Sequence, residues 1–426
     1  MTDDELYKKL KKQYDRNFKT TLKIVLAKIA DDDVKEAVQY LLEQEREYWL
    51  TRLSLVDEYH FYKAVEAAQI VSAPYTAAAH EYTQEIKRIY GTYKGAFGLS
   101  KSQADKLLRT VNYDRSIMDN LRKIADSLPP GDQKNLMYAT ISAPAYRFRM
   151  QRADVMCQQA AQTCRDIARG EIVTDRAVLQ TATEQAYNIT LEEIIGKSPA
   201  DTVVEAIKEQ ITTEPPITSR MPGVQDIIAT DDRGVMASFT ELNTDAVREI
   251  VNHNWYGENF SDRVWENTDE VAKEIKGVLI EGEMTGASVD QMAAKIQERF
   301  DVAAYKARRL VRTEYNYCTN QATLRGYQNA EIDKYRYLAI IDDRTSEICT
   351  DLDGEIFLVS DATVGVNYPP MHPNCRSTTV PVLQTAEEIE AEIEAIVDSW
   401  NIPEGMSFDD FVDKSFEEIL KRRGLT

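Results

Sequence analysis

Apolar side chains recur at intervals of three and four through the first 210 residues, and this spacing constrains the fold more than any other feature. Leu22, Val25, Leu26 and Ile29 form one such run, and residues three or four apart lie on the same face of a helix. Proline and glycine are scarce until the PPG at 129–131, which interrupts a helix. We therefore predict a mainly α-helical N-terminal region over residues 1–210, built either as extended helices or as a bundle.

Three prolines and a glycine follow in the stretch ITTEPPITSRMPG, residues 211–223. This composition is typical of turns and connecting segments, so we expect a linker or hinge there. Residues 224–300 are then expected to form a helical connector. Within it, Ser288 and Gln291 have the spacing of a capping box at the start of a helix.

The apolar period changes from helical to alternating after about residue 330. A long helix at about 303–330 precedes three short predicted strands, in KYRYLAII, EIFLV and RSTTVPV, and Asp353-Gly354 gives a tight-turn signal before the second. Residues 301–383 are therefore predicted to be a small α+β domain, in which a short antiparallel sheet packs on a long helix. Residues 384–426 read as an acidic helical tail.

The formal net charge is −20, which argues against a general nucleic-acid binder because DNA affinity comes largely from Lys and Arg meeting phosphates. The charge is uneven: residues 87–152 hold 13 Lys or Arg against 5 Asp or Glu, whereas residues 381–426 hold 4 against 12. Cations interleaved with tyrosines suit contact with a DNA backbone, and the alternative is a solvated helix face that pairs with acidic neighbours. The candidate DNA-contact residues are Lys87, Arg88, Lys94, Lys101, Lys106, Arg109, Arg115, Arg147, Arg149 and Arg152.

Several classes of protein find no support in the sequence. No stretch approaches the roughly 18 uncharged apolar residues of a membrane span, and the charged N-terminus lacks the apolar region of a signal peptide. The chain is expected to stay in the cytoplasm where it is made, with no membrane partner. Its five cysteines are odd in number and scattered, which predicts no disulfide framework. Neither GxxxxGK[ST] nor GxGxxG occurs, so nucleotide binding has no motif.

The stretch PPMHPNCR, residues 369–376, places a histidine and a cysteine three residues apart. Together with Cys349, His372 and Cys375 could provide three zinc ligands. They could also hold a rigid corner, in which prolines fix the backbone, the histidine hydrogen-bonds a carbonyl or carboxylate, and the thiol fills a small apolar space.

A structural zinc site takes four ligands, and this set falls one short. Ser346 and Ser377 stand where further thiols would complete it, and Asp342 or Asp343 would have to serve instead. The prediction is therefore a structural corner with no metal, no cofactor and no catalytic residue. The alternative is a zinc-dependent hydrolase or nuclease that uses Cys349, His372 and Cys375.

Glu314 lies on the apolar stripe of the predicted long helix, four residues after Leu310. A carboxylate on a buried face needs a partner or loses its charge. Arg344 and Arg376 are possible partners from later in the chain, and with Arg312 they would form an internal charged network. The alternative is a glutamate at the edge of the stripe that reaches water.

Three linked motifs, LVRTEYNYCTNQA (310–322), DDRTSEICTDLDGEIF (342–357) and VGVNYPPMHPNCRSTTVP (364–381), together resemble the phage head morphogenesis family. These are the Mu F-like minor head proteins of tailed bacteriophages. The resemblance spans residues 301–381 and extends plausibly back to about residue 80. The residues expected to hold this domain together are Arg312, Thr313, Glu314, Asp343, Arg344, Thr345, Cys349, Gly354, Pro369, Pro370, His372, Pro373, Cys375 and Arg376.

The resemblance implies a non-enzymatic virion protein that lies in the head interior near the portal vertex and is assembled in the host cytoplasm. Its implied partners are the portal protein, other head or scaffolding proteins and, through weak non-specific contact, double-stranded DNA during packaging or delivery. Many members carry Cys where this chain has Ser346 and Ser377, a departure that argues further against zinc. Some relatives bear a toxin domain after the motif, and the tail of roughly 45 residues is too short for one.

Overall fold

The computed structural model describes residues 3–91, 97–195, 199–211, 242–255, 257–400 and 402–422. All but the first residue of the predicted linker at 211–223 lies outside the described residues, as does the first part of the predicted connector. The described chain is mainly helical with one small sheet, as the apolar periods predict.

The predicted N-terminal region is helical throughout most of its described residues. Ser100 caps the third helix, because its hydroxyl accepts a hydrogen bond from the backbone N–H of Gln103 at 3.3 Å. The PPG at 129–131 separates the fourth helix from the fifth, as predicted. The helices are α1 (Asp3–Ala30), α2 (Val34–Tyr90), α3 (Lys101–Leu108), α4 (Ile117–Ser127), α5 (Asp132–Ser142), α6 (Pro144–Ile195) and α7 (Pro199–Ile211).

The second half of the chain contains the sheet. Its elements are α8 (Thr244–Asn252), α9 (Phe260–Thr285), α10 (Val289–Asn329), β1 (Lys334–Leu338), α11 (Glu347–Leu352), β2 (Ile356–Leu358), β3 (Thr378–Val382), α12 (Ala386–Ser399) and α13 (Phe408–Arg422). The helix predicted at about 303–330 in fact begins at Val289. Ser288 and Gln291 form the predicted capping box there, with bonds of 2.8 and 3.2 Å, and no proline or glycine interrupts the helix before Gly326.

Contacts divide the chain into two compact units, and neither is continuous in sequence. Unit 1 comprises residues 1–63, 180–250 and 316–426, and unit 2 comprises residues 64–179 and 251–315. The helices α2, α6 and α10 each contribute residues to both units.

One core of unit 1 is helical and joins the two ends of the chain. It buries Leu22 of α1, Val204 of α7, Ile393 of α12 and Ile419 of α13. The predicted acidic tail is therefore amphipathic: its isoleucines are buried in this core, whereas Glu387, like most of its carboxylates, is exposed.

The sheet of unit 1 has the order β2-β1-β3 with antiparallel pairing throughout. Tyr335 of β1 lies opposite Phe357 of β2 and Pro381 of β3. The sheet region packs on the last turns of α10, where the Tyr368 hydroxyl donates to the carbonyl of Asn320 at 2.7 Å. The predicted fold class, a helical region plus a small sheet on a long helix, is confirmed.

Unit 2 is a helical core, and one part of it is acidic. The Tyr75 hydroxyl donates to Glu171 Oε2 at 2.7 Å, and Asn267 Nδ2 donates to the same hydroxyl at 3.3 Å. Asp175 lies one turn beyond Glu171 on α6 and is only 1% exposed. Burial raises the pKa of Glu171 to about 7 and raises the pKa of Asp175 well above its usual value, because a low-polarity interior disfavours the charged form.

Candidate functional site

Cys349, His372 and Cys375 meet beside the sheet of unit 1. Ser346 caps α11, because its hydroxyl accepts a hydrogen bond from the backbone N–H of Cys349 at 3.3 Å, and this fixes Cys349 in the first turn. The segment after the two prolines turns back on itself, with the Cys375 N–H donating to the carbonyl of His372 at 3.0 Å and Asn374 at a positive φ of 63°. Within the described residues, this is the only cluster of His, Cys and carboxylate groups close enough to share a metal ion.

The distances within the cluster are short. The Cys349 and Cys375 sulfurs are 3.8 Å apart, and Cys349 Sγ lies 3.4 Å from His372 Nε2. The Ser346 hydroxyl lies 2.9 Å from the same nitrogen. Both cysteines are buried. Ser346, one of the two serines found where thiols would complete a zinc site, lies beside His372 and the backbone of Cys349.

Hydrogen bonds set the protonation of this cluster. The contact between the Cys349 and Cys375 sulfurs lowers the pKa of Cys349 to about 4 and raises the pKa of Cys375. Tyr337 donates its hydroxyl proton to Cys349 Sγ at 3.4 Å. The Nδ1 of His372 lies 2.9 Å from the carbonyl oxygen of Pro373; since a carbonyl can only accept, Nδ1 carries the proton and Nε2 presents its lone pair to the cluster.

The charged network differs from the one predicted. Arg376 makes two bonds to Asp342, at 2.8 and 2.6 Å, and Arg344 donates to Asp342 Oδ2 at 3.3 Å. Arg376 holds the pKa of Asp342 well below its usual range. Asp342 also accepts from the Thr345 hydroxyl at 3.2 Å, whereas Asp343, the aspartate placed in the predicted motif, is exposed.

Glu314 is buried, which decides between the two alternatives that its position on the apolar stripe left open, but the possible partners Arg344 and Arg376 are wrong. The Arg263 guanidinium donates to Glu314 Oε1 at 2.9 Å, and the Trp255 indole donates to Oε2 at 3.1 Å. Burial raises the pKa of Glu314, and the bonds from Trp255 and Arg263 oppose that shift. No spacing in the sequence connects these three residues, since both partners lie more than 50 positions upstream.

The remaining residues of the three motifs form hydrogen bonds, a turn and a buried corner of the fold. Thr313 is buried on α10 and its hydroxyl donates to the carbonyl of Arg309 at 2.7 Å, while Arg312 on the same helix is half-buried. Gly354 adopts a φ of 86° and donates its N–H to the carbonyl of Tyr337 at 2.9 Å, so the turn before β2 needs the left-handed backbone that glycine permits. Pro369 and Pro370 are buried and joined by a cis peptide bond, and Pro373 is exposed.

Some of the candidate DNA-contact residues bond to other groups of the protein, and others have no ion pair within the described chain. Lys87 pairs with Asp290 at 3.4 Å and Arg88 with Glu85 at 2.7 Å, and Arg147 donates to the carbonyl of Ile141 at 3.2 Å. Lys94 lies outside the described residues, and Arg149 and Arg152 are half-buried. Four others are exposed and have no ion pair within the described chain: Lys101, Lys106, Arg109 and Arg115.

These four cations lie on α3 and the segment that follows it, all in unit 2. They are the part of the basic block that is available to an external anion.

The fold and the cluster define a helical protein with a small sheet braced by a buried Cys–His group. Residues 273–380 match the sequence model of the family described as Phage Mu protein F like protein. This stretch is therefore Mu F-like, and the resemblance carried by the three motifs is confirmed. This family points to phage head morphogenesis.

Two curated proteins are similar to parts of the chain. An NAD(+)--arginine ADP-ribosyltransferase EFV from Enterococcus faecalis is 28% identical over 193 residues, covering 42% of this chain and 39% of that protein. An uncharacterized protein from Haemophilus influenzae is 24% identical over 115 residues, covering 27% of this chain and 26% of that protein. The chain thus spans well under half the length of either relative.

No solved structure matches the chain. None of the described helices combines the length and apolar content that crossing a bilayer requires. Nothing in the comparisons supports the alternative of a zinc-dependent hydrolase or nuclease.

Proposed function

We propose that the protein is a minor head protein that acts at the portal vertex during head morphogenesis, binding the portal protein and other head or scaffolding proteins without catalysing a reaction. The observation that carries this proposal is the family match over residues 273–380, which contains nearly all of the three motifs. The relative from Enterococcus faecalis bears the name of an enzyme, but the match covers a minority of its length, so that activity is not transferred to this chain.

The edge of the sheet is suited to contact with another protein. Within the described residues, β2 pairs only with β1, so its outer edge is open. Ile356 and Leu358 are 47% and 45% exposed and point to the same side of the strand, because successive side chains alternate. An open edge strand with apolar side chains is a template for pairing with a strand of a partner.

Co-purification with the portal protein of the same phage tests this surface. Ile356→Lys together with Leu358→Lys is expected to abolish or strongly weaken capture of the portal protein, because each lysine places a charge in the apolar contact. Ile70→Lys with Val173→Lys is a matched control, since Ile70 and Val173 are 52% and 67% exposed elsewhere. Loss of capture in both double variants, or in neither, would contradict the assignment to β2.

Contact with DNA is proposed for the cations of the basic block that have no ion pair within the described chain. Lys101, Lys106 and Arg109 are exposed on and just after α3, and neutralising a phosphate releases counterions, so binding should weaken as salt rises. Changing all three to Gln is expected to reduce the slope of log affinity against log salt by about 1 for each phosphate that is no longer neutralised.

A charge-matched control replaces three exposed lysines outside the block, Lys23, Lys35 and Lys414, with Gln. Both triple variants change the net charge equally. A gel-retardation series in which the two variants lose the same affinity would assign the effect to total charge and remove the basic block from the proposal. Affinity that stays constant from low to high salt would remove DNA contact altogether.

A further inference from the structure

The Cys–His cluster of unit 1, whose residues are zinc ligands only in the alternative prediction from the sequence, has the geometry of a metal site. Tetrahedral zinc with bonds of about 2.3 Å to sulfur and about 2.0 Å to nitrogen separates two thiolate sulfurs by about 3.8 Å and a sulfur from an imidazole nitrogen by about 3.5 Å. The two cysteine sulfurs are 3.8 Å apart, and Cys349 Sγ lies 3.4 Å from His372 Nε2. Two of the three distances between ligand atoms therefore match such a tetrahedron, and all three ligand atoms lie within 4.8 Å of one another.

The surroundings of the ligands match this geometry. His372 directs the lone pair of Nε2 into the cluster because Nδ1 donates to the carbonyl of Pro373, and metal-binding histidines are commonly oriented by a bond from the other ring nitrogen. Tyr337 donates a hydroxyl hydrogen bond to Cys349 Sγ, which is the kind of support that a metal-bound thiolate accepts. A metal-free corner in which the thiols only fill apolar space would require neither of these hydrogen bonds.

The Ser346 hydroxyl is the candidate for the fourth ligand. It lies 2.9 Å from His372 Nε2, within a few tenths of an ångström of the roughly 3.3 Å expected between oxygen and nitrogen ligands on one zinc ion. The serine that removes a thiol from the sequence pattern therefore leaves an oxygen, or room for a water held by it, at the same corner. Two thiolates and an imidazole favour zinc or another thiophilic ion over magnesium or calcium.

We infer that Cys349, His372 and Cys375 bind one zinc ion, with Ser346 or a water held by it at the fourth position, and that the ion braces α11 against the segment 369–376. Both thiols release their protons when the ion binds. The site is structural: its cysteines are buried, and no substrate or reaction is assigned to it.

The direct test is the zinc content of untagged full-length protein, kept in reductant, loaded with zinc and passed through a desalting column. Equimolar zinc is expected for the wild type, and its cobalt form should show thiolate-to-cobalt charge-transfer absorption. Cys349→Ala should retain no zinc. Cys164→Ala is the control, because Cys164 is also a buried free thiol but lies on α6 in unit 2, and it should retain the wild-type amount.

A second variant keeps the proposal testable if Cys349→Ala does not fold. Ser346→Cys adds a thiolate at the fourth corner and should raise the chelator concentration that strips the zinc by about tenfold or more. Wild-type protein that holds no zinc, or zinc content equal in Cys349→Ala and wild type, overturns the inference. Zinc retention that is unchanged in Ser346→Cys overturns the role given to Ser346.

Discussion

The buried acid of unit 2 gives the sharpest prediction about stability. Glu171 has a pKa of about 7 in place of 4.5 because burial disfavours its charge, and this difference corresponds to about 3 kcal/mol between the two protonation states. Between these two pKa values the folded chain holds a proton that the unfolded chain has lost. The free energy of unfolding should therefore fall as pH rises from about 4.5 through 7.

Glu171→Gln removes the ionisable group while keeping its shape, and its amide oxygen can still accept the bond from Tyr75. We expect the variant to match the wild type at pH 4 and to exceed it by about 3 kcal/mol at pH 8. Urea denaturation followed by circular dichroism at a series of pH values measures both. Asp175, whose pKa is also raised, should leave some pH dependence in the variant, and Glu171→Gln with Asp175→Asn should remove most of the rest.

Glu184→Gln is the control for this experiment, because Glu184 lies on the same helix but is exposed. It should leave the pH dependence unchanged. The reasoning fails if Glu171→Gln is no more stable than the wild type at pH 8, or if it gains as much at pH 4 as at pH 8.

Other substitutions test particular contacts. Glu314→Ala leaves the Arg263 guanidinium without its buried partner and should lower the free energy of unfolding by about 3 kcal/mol, measured by urea denaturation; intact stability with loss of assembly would make Glu314 an interface residue instead. Arg376→Lys cannot reproduce the two bonds to Asp342, so its melting temperature should fall, by less than that of Glu314→Ala. Gly326→Ala places a methyl group 2.8 Å from Thr190 Cγ2 and should cost about 1 to 2 kcal/mol through overpacking; a gain in stability would mean that helix propensity outweighs the clash.

Local features of the fold follow from the sequence, because each depends on neighbouring residues. The caps at Ser100 and Ser288, the helix break at 129–131 and the turn at Gly354 are all set by side chains or backbone preferences within a few positions. The short strands of the sheet could be predicted for the same reason, from a change of apolar period.

The partners of the buried charges could not be predicted, because they come from distant segments with no shared spacing. The apolar stripe left Glu314 either buried or at the edge that reaches water, and Arg263 and Trp255 carry no signal of their contact with it. One local contact of Asp342 could have been predicted from the sequence. An aspartate in a turn commonly accepts a hydrogen bond from the backbone N–H two residues later, and Asp342 accepts one from the Arg344 N–H at 2.9 Å. The count of Cys and His residues gave only three ligands and so favoured a site without metal. The position of the Ser346 hydroxyl beside His372, which offers a fourth, is visible only in the structure.

The helical core of unit 1 unites α1 with α12 and α13, segments almost a full chain length apart. During translation α1 is followed early by α2 and α7, which share this core, but α12 and α13 are made last. Contacts of such long sequence separation form slowly, and a chain arrested before α12 would leave the part of this core that α12 and α13 cover open to chaperones and to other nascent chains. The core therefore closes only after α12 and α13 have joined it.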